Sequence, residues 1–215
     1  MTTTADRTTS AVDPIRAAAF QSGCPVVVVD DTAENGRTML AFAAARATTS
    51  TVAFTIRHTS GFLTTALPAE RCRILGLPPM VGRAPESGCS GSVFTVAVDA
   101  AHGIGTGISA LDRAVTIGRL ADDSYGHEDF VRPGHVLVVC LSEDGSSGYP
   151  YARELASFAR VLGLAEAAAF ADLVSPEDET RLATRSEAHR FADEHGLEIV
   201  SVQAISSFVD YCTGV

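Results

Sequence analysis

The segment Gly103-Ile-Gly-Thr-Gly107-Ile-Ser109-Ala-Leu-Asp112-Arg113 is a glycine-rich loop feeding a helix, with Ser109 and Asp112 in capping-box spacing. Amides at a helix N-terminus lack intrahelical partners and sit at the positive end of the helix dipole. The junction is therefore either an oxyanion or phosphate site, in which the glycines let the anion approach the backbone, or an ordinary cap. It has neither the Lys of a Walker A loop nor the G-x-G-x-x-G dinucleotide fingerprint, which argues against nucleoside triphosphate and NAD chemistry. All 16 basic residues are Arg, so chemistry through a Lys imine is excluded, although base composition of the source genome also explains a chain without Lys. A net charge of −10 argues against nucleic acid as a partner, because neutralising phosphates needs clustered cations. Cys24, Cys72, Cys89, Cys140 and Cys212 are odd in number and form no C-x-x-C pair. They read as free thiols of a reducing compartment.

The elements that must position these groups are short and alternate between strand and helix. Asp13-Pro14 starts a helix that Gly23 closes, and Pro25–Val29 is a buried β-branched strand running into Asp30-Asp31. Between Leu40 and Ile56 Ala-rich sequence fits strand and helix alike, with Thr49 or Ser50 able to cap a helix to Arg57. A helix is expected over Pro68–Leu75, a loop over Gly82–Ser92, and alternating strands over Val93–Val98 and Val136–Leu141. Pro150–Leu162 has an apolar face of Leu155, Phe158 and Leu162 and is expected to be an amphipathic helix. A strand at Ala167–Val174, a helix at Arg185–Glu194, a strand at Glu198–Val202 and a final helix to Tyr211 follow. This order predicts an α/β fold, a mixed sheet sandwiched by helices, in one domain from Asp13 to Val215. Residues 1–12 read as a disordered, Thr-rich tail without a signal core, and the localisation expected is cytoplasmic. No apolar run is long enough for a membrane span.

Five motifs carry a resemblance. Arg57-His-Thr-Ser-Gly61, Leu75-Gly-Leu-Pro-Pro-Met-Val81, Phe94-Thr-Val-Ala-Val-Asp99, Thr106-Gly-Ile-Ser-Ala-Leu-Asp-Arg113 and Arg132-Pro-Gly-His-Val136 occur in the order and at the spacing of 3,4-dihydroxy-2-butanone 4-phosphate synthases. The chain resembles that family from Asp13 to Tyr211. The resemblance implies an α/β fold and a homodimer with sites near the subunit interface. It also implies a lyase of riboflavin biosynthesis that enolises, dehydrates, rearranges and cleaves ribulose 5-phosphate to formate and a four-carbon ketone phosphate, with Mg²⁺ as its cofactor. Thr106, Ser109, Asp112, Arg113, Arg57, His58 and Thr59 match the family, which implies Asp112 among the catalytic groups and Thr106, Ser109, Arg113, Arg57 and Thr59 on the substrate. His135 is the first choice for a general acid or base, with a satisfied turn residue as its alternative. His58 is a second proton carrier or a helix C-terminal cap, and Asp30 and Asp31 are a carboxylate base or a strand-ending turn.

The implied metal site is where the sequence departs. The family's D-D-x-D-R-E-N-E-G-D loop, with its ligand Glu, reads Asp30-Asp-Thr-Ala-Glu34-Asn35-Gly-Arg37-Thr-Met39 here. An ungapped match puts Asn35 on the ligand and Met39 on the closing Asp, whereas one gap slides Glu34 onto the ligand; Arg37 and Met39 break the acidic pattern in both. The family's R-G-H-T-E-A segment, with its ligand His, reads Tyr149-Pro-Tyr151-Ala-Arg153, so Tyr151 stands on the His and Arg153 on the Glu. A hard cation prefers charged oxygen ligands, so these changes predict no metal, with Mg²⁺ expected only if the standard reaction is retained. Three functions remain. A diverged, metal-independent enzyme would act on a small carbonyl or polyol compound; a genuine riboflavin-pathway synthase would use relocated ligands; a non-catalytic homologue would only bind. In the first, Tyr151 joins the catalytic groups and Tyr149, Glu34 and Asn35 line the substrate.

Overall fold

The computed structural model describes residues 12–32, 36–81, 93–142 and 149–214. The tail, the 82–92 loop, Glu34, Asn35 and Cys89 lie outside the described residues. Helix α1 (Pro14–Ser22) begins where expected, because the Asp13 carboxylate accepts from the amides of Ile15 and Arg16 and Pro14 needs no amide partner. Strand β1 (Val26–Val29) pairs antiparallel with β2 (Thr38–Ala43) and parallel with β8 (Ile199–Ser201), so it lies inside the sheet. A strand covered on both faces has no reason to alternate with polar residues, which is why its Val run and the apolar Met39–Ala43 segment carry no period-two signal.

Strands β3 (Thr64–Pro68), β4 (Val93–Phe94), β6 (Phe130–Leu141) and β7 (Ala168–Asp172) complete the sheet in the order β4-β6-β3-β7-β2-β1-β8. Strand β5 (Val98–Ala100) pairs with β6. The sheet is mixed, parallel at β1/β8 and β3/β6 and antiparallel at its other pairings. Its alternate side chains divide between two helix layers. Val26, Val28, Met39 and Ala41 pack with α1, with Leu155 and Phe158 of α5 (Pro150–Val161), and with Ile205 of α7 (Val202–Thr213). On the opposite face Phe42, Leu67 and Val138 pack with Val52 of α2 (Thr49–His58), Cys72 of α3 (Ala69–Ile74), and Ile117 and Leu120 of α4 (Ala110–Leu120). Val27, Val29 and Leu40 meet Ala188 and Phe191 of α6 (Arg185–His195). Burial of a side chain such as Leu155 or Phe158 contributes about 2–3 kcal/mol.

Two expected strands differ from those observed. Val93–Val98 is not one strand: after β4 the chain makes a single bridge from Thr95 to Pro79, Val96 donates to the Pro78 carbonyl, and β5 starts at Val98. Val136–Leu141 is only the second half of β6, which extends back to Phe130 because β5 pairs with its first half across a register shift. The ambiguous Leu40–Ile56 stretch resolves into β2, a turn, and α2 capped by Thr48 rather than Thr49 or Ser50, with Thr48 Oγ1 accepting from Thr51 N at 3.1 Å.

The segment leading into α6 is closed by one carboxylate. Glu187 accepts from both terminal nitrogens of Arg181 at 2.7 Å, from Ser175 Oγ at 2.6 Å and from Thr184 N at 2.8 Å. The Arg181 guanidinium first, then the Ser175 and Thr184 donors, hold its carboxyl far below its ordinary 4.5. A carboxyl depressed in the folded state gives stability that is complete above the unfolded pKa and disappears as it protonates. The gap in Tm between the parent protein and Glu187→Gln, followed by circular dichroism, is therefore expected to be widest at pH 6–7. It should narrow as the pH falls below about 4.5.

Candidate active site

Strands β5 and β6 hold His135 against Asp99. The His135 backbone N–H donates to Asp99 Oδ1 at 3.0 Å and its ring Nδ1 lies 2.6 Å from Oδ2. Asp99 is buried while the His135 side chain is 39% exposed, so the imidazole bridges a buried carboxylate and solvent. With Asp99 ionised, Nδ1 carries the proton of this contact, which leaves Nε2 to exchange one with a substrate. The positions of two glycines are fixed by this arrangement. Gly107 has φ +90°, and a Cβ there would stand 2.1 Å from Asp99 Oδ2 and 2.7 Å from His135 Nδ1. A Cβ on Gly134 would meet the Val98 carbonyl carbon at 2.0 Å.

The glycine loop that leads into α4 already contains its anion. Ser109 Oγ caps Asp112 N at 3.1 Å, while the Asp112 carboxylate accepts from Gly105 N and Gly107 N, each at 3.0 Å. These contacts, Gly105 first, keep Asp112 below the usual carboxylate range. Asp112 thus shapes the loop as an acceptor, and two of the amides offered to a phosphate are occupied by it. Thr106 stays exposed on the same loop. Arg113, expected on the substrate, is buried with its Nη1 3.3 Å from the Gly61 carbonyl, and so ties α4 to the turn before Phe62.

At the C-terminal end of β7, a cavity of about 230 Å³ lies between Arg37, Asp172, Phe62, Phe94, Tyr149 and Tyr151. Pairing of Met39 with Asp172 places both strands' ends together, and Arg37 Nη1 donates to Asp172 Oδ2 at 2.9 Å. Rings run through this wall edge to face: Phe62–Phe94 at 6.0 Å, Phe94–Tyr149 at 5.1 Å, Tyr149–Tyr151 at 6.1 Å and Tyr151–Phe170 at 5.5 Å. Burial pushes the Tyr151 phenol up to about 12, so it is neutral in the working range. Burial likewise raises the Asp172 carboxyl, against the opposing pull of Arg37. In an alkaline absorbance titration of the chain's 4 tyrosines, the latest phase is expected to vanish in Tyr151→Phe.

The remaining sequence candidates are spread over other places. Asp30, buried, turns back on Thr32, accepting from its N at 3.0 Å and its Oγ1 at 2.6 Å. Asp31 Oδ1 accepts from Gln203 N at 3.0 Å, which anchors the first turn of α7. Arg57 and His58 line a different cleft that shares no residue with the cavity at Arg37. There His58 packs against Phe54, Phe191 and His195, and burial, then His195 and Arg57, lower its pKa. Thr59 Oγ1 donates to the Thr55 carbonyl at 2.7 Å, a local helix contact. Neither that cleft nor the cavity at Arg37 has Thr106, Asp112 or His135 in its lining.

Met39, which the ungapped match sets on the family's closing Asp, pairs with Val28 and is fully buried in the core. Glu34 and Asn35, the two candidates for the ligand position, lie outside the described residues. A divalent cation nevertheless finds little among the described residues. No group of three His, Cys, Asp or Glu side chains suits a metal there. Asp172 is engaged by Arg37, Asp30 by Thr32, and Tyr151 is a neutral phenol, so these residues do not fit Mg²⁺. Sequence reasoning missed Asp99, Asp172 and Arg37 as functional groups. Asp99 closes one of the five motifs, and Asp172 is a lone charge ending an otherwise apolar strand, which was the available signal.

A family model for 3,4-dihydroxy-2-butanone 4-phosphate synthase matches residues 16–208. "Riboflavin biosynthesis protein RibBA" of Rhodococcus jostii (strain RHA1) is 44% identical over 182 residues, covering 84% of this chain and 43% of that protein. The protein of that name in Mycobacterium tuberculosis (strain ATCC 25177 / H37Ra) is 43% identical over the same length, covering 84% and 42%. The chain thus spans less than half the length of these curated relatives. Among solved structures, a 3,4-dihydroxy-2-butanone 4-phosphate synthase in complex with two magnesium ions superposes with TM-score 0.79 at 31% identity, over 94% of this chain and 97% of that one. The Candida albicans synthase gives 0.77 at 29%, over 93% and 98%. The expected mixed α/β fold is that of these structures. The magnesium of the first gives no support to the expectation that the family's chemistry here lacks a metal.

Proposed function

The chain belongs to the 3,4-dihydroxy-2-butanone 4-phosphate synthase family, and from that premise we propose that it is a lyase-type enzyme that enolises a small phosphorylated ketose. The relatives favour the family's own reaction in riboflavin biosynthesis, ribulose 5-phosphate to the four-carbon ketone phosphate and formate, over the diverged chemistry suggested by the loop sequences. The single observation that carries the reading is the Asp99-held imidazole of His135. Enolisation needs a base that takes a proton from carbon beside a carbonyl and returns it elsewhere, and an oriented imidazole that is partly exposed can do both. Asp99 orients the ring and stabilises the imidazolium formed, while Asp112 keeps the adjoining loop in place. If Mg²⁺ takes part, it would supply Lewis-acid stabilisation of the enediolate.

The reading includes a homodimer in which one protomer's His135 serves the other's cavity, since His135 is not among the residues that line the cavity at Arg37. Phe62, Ile108 and Leu111, all more than half exposed, offer apolar area for that contact. The test is growth: a host that requires riboflavin because it lacks this synthase is expected to be rescued by the chain and not by His135→Asn. A well-folded chain that fails to rescue would defeat the reading. That outcome would favour an enzyme of altered substrate, for which the Tyr149–Tyr151 wall is the specific observation.

A further inference from the structure

The cavity at the end of β7 contains a cation of the chain's own. Arg37 precedes β2 and Asp172 ends β7, and the pairing of those strands brings the two side chains together at 2.9 Å. The Asp172 side chain is 24% exposed and that of Arg37 51%, so the carboxylate forms the floor and the guanidinium stands toward solvent. Among the described residues only one of the guanidinium's five N–H donors has a partner, and the planar fork suits oxygens side by side. Asp172 retains acceptor capacity beyond the bond from Arg37. Tyr151 adds a neutral hydroxyl and, with Phe62, Phe94 and Tyr149, an aromatic wall. The volume, about 230 Å³, suits the head of a small compound, and the cleft is open to solvent on its Arg37 side.

We propose that this cleft is an α-hydroxy ketone site in which Arg37 donates to the substrate's carbonyl oxygen and Asp172 accepts from the neighbouring hydroxyl, work that a chelated divalent cation would otherwise do. The inference rests on the ketose reading above and assigns its electrophile. As enolisation moves charge onto the carbonyl oxygen, a guanidinium held in place by Asp172 stabilises it. Asp172 holds Arg37 in place, and its negative charge also lowers the pull of this pocket on free anions. The ligand class is therefore a neutral hydroxy-carbonyl head, with any phosphate placed outside the aromatic wall.

The experiment has two readouts. In chelator, quenching of tyrosine fluorescence by dihydroxyacetone, a minimal α-hydroxy ketone, is followed for the parent chain, Arg37→Gln and Asp172→Asn, each checked for folding by circular dichroism. Binding that weakens at least tenfold in Arg37→Gln is expected; equal binding in parent and variant, or no binding by the parent, overturns the inference. Mn²⁺ titration followed by electron paramagnetic resonance is expected to show no ion held at this cleft. An ion bound in the parent and lost in Asp172→Asn also overturns it. Formate release from ribulose 5-phosphate by the parent and equally by Arg37→Gln would sink the inference while the ketose reading survives. Failure of the parent to release formate while Arg37-dependent dihydroxyacetone binding persists would do the reverse.

Discussion

His135→Asn is expected to lower turnover of ribulose 5-phosphate by about 10²–10⁴-fold, the range that a positioned acid/base group supplies, with the fold intact. The side chain lies at the surface end of its contact, and Asn preserves a polar group opposite Asp99, so the protein should melt within a few degrees of the parent. The loss should appear in kcat more than in KM, because the imidazole acts on the proton in flight rather than on bound substrate. Asp99→Asn provides the internal comparison. It leaves His135 in place but removes the carboxylate that selects the Nδ1–H tautomer and stabilises the imidazolium, so a substantial part of the same loss is expected without removing the base itself. Steady-state kinetics on the two variants check this. Near-parental turnover in His135→Asn would return the residue to its alternative role as a satisfied turn.

Gly107→Ala is expected to damage both stability and catalysis, although it adds one methyl group. At φ +90° an L-residue costs about 1–2 kcal/mol, which for a chain of this size lowers Tm by roughly 2–8 °C. The new Cβ would also need the space of Asp99 Oδ2, at 2.1 Å, and of His135 Nδ1, at 2.7 Å. Either the loop that Asp112 organises moves or the His135–Asp99 contact opens. Turnover should fall at least tenfold beyond what the Tm shift explains at assay temperature, since a misplaced base loses rate steeply with distance. Thermal melts and kinetics on the same preparation separate the two effects. Full activity with a lowered Tm would mean that the glycine serves only the backbone.

Most of the scaffold was legible because local chemistry determines it. Asp13-Pro14 and Gly23 bracket α1, Leu155 and Phe158 mark the inner face of α5, and the Val26–Val29 run has too few residues for a helix and too many branches to favour one. The strands at Val93 and Val136 were less legible, since their limits depend on pairing between β4, β5 and β6 across a register shift, which no local pattern encodes. The site was legible in part. His135 and the Ser109 cap were found from motif and spacing, but the partner that makes His135 useful, Asp99, is 36 residues away and meets it only through β5–β6 pairing. Asp112 was visible as a helix-start residue, yet its occupation of Gly105 and Gly107 amides is a property of the folded loop. Arg37 was read only as a break in an acidic pattern; the fold shows it engaged with Asp172 across paired strands.

The most direct measurement is formate released by the purified chain from ribulose 5-phosphate in Mg²⁺-containing buffer, quantified by proton NMR against substrate consumed. One formate per ketose, at a rate that collapses in His135→Asn, is the result expected of an enzyme of this family working through the Asp99-held imidazole. Consumption of no substrate, or a formate rate equal in the parent and His135→Asn proteins, would contradict it.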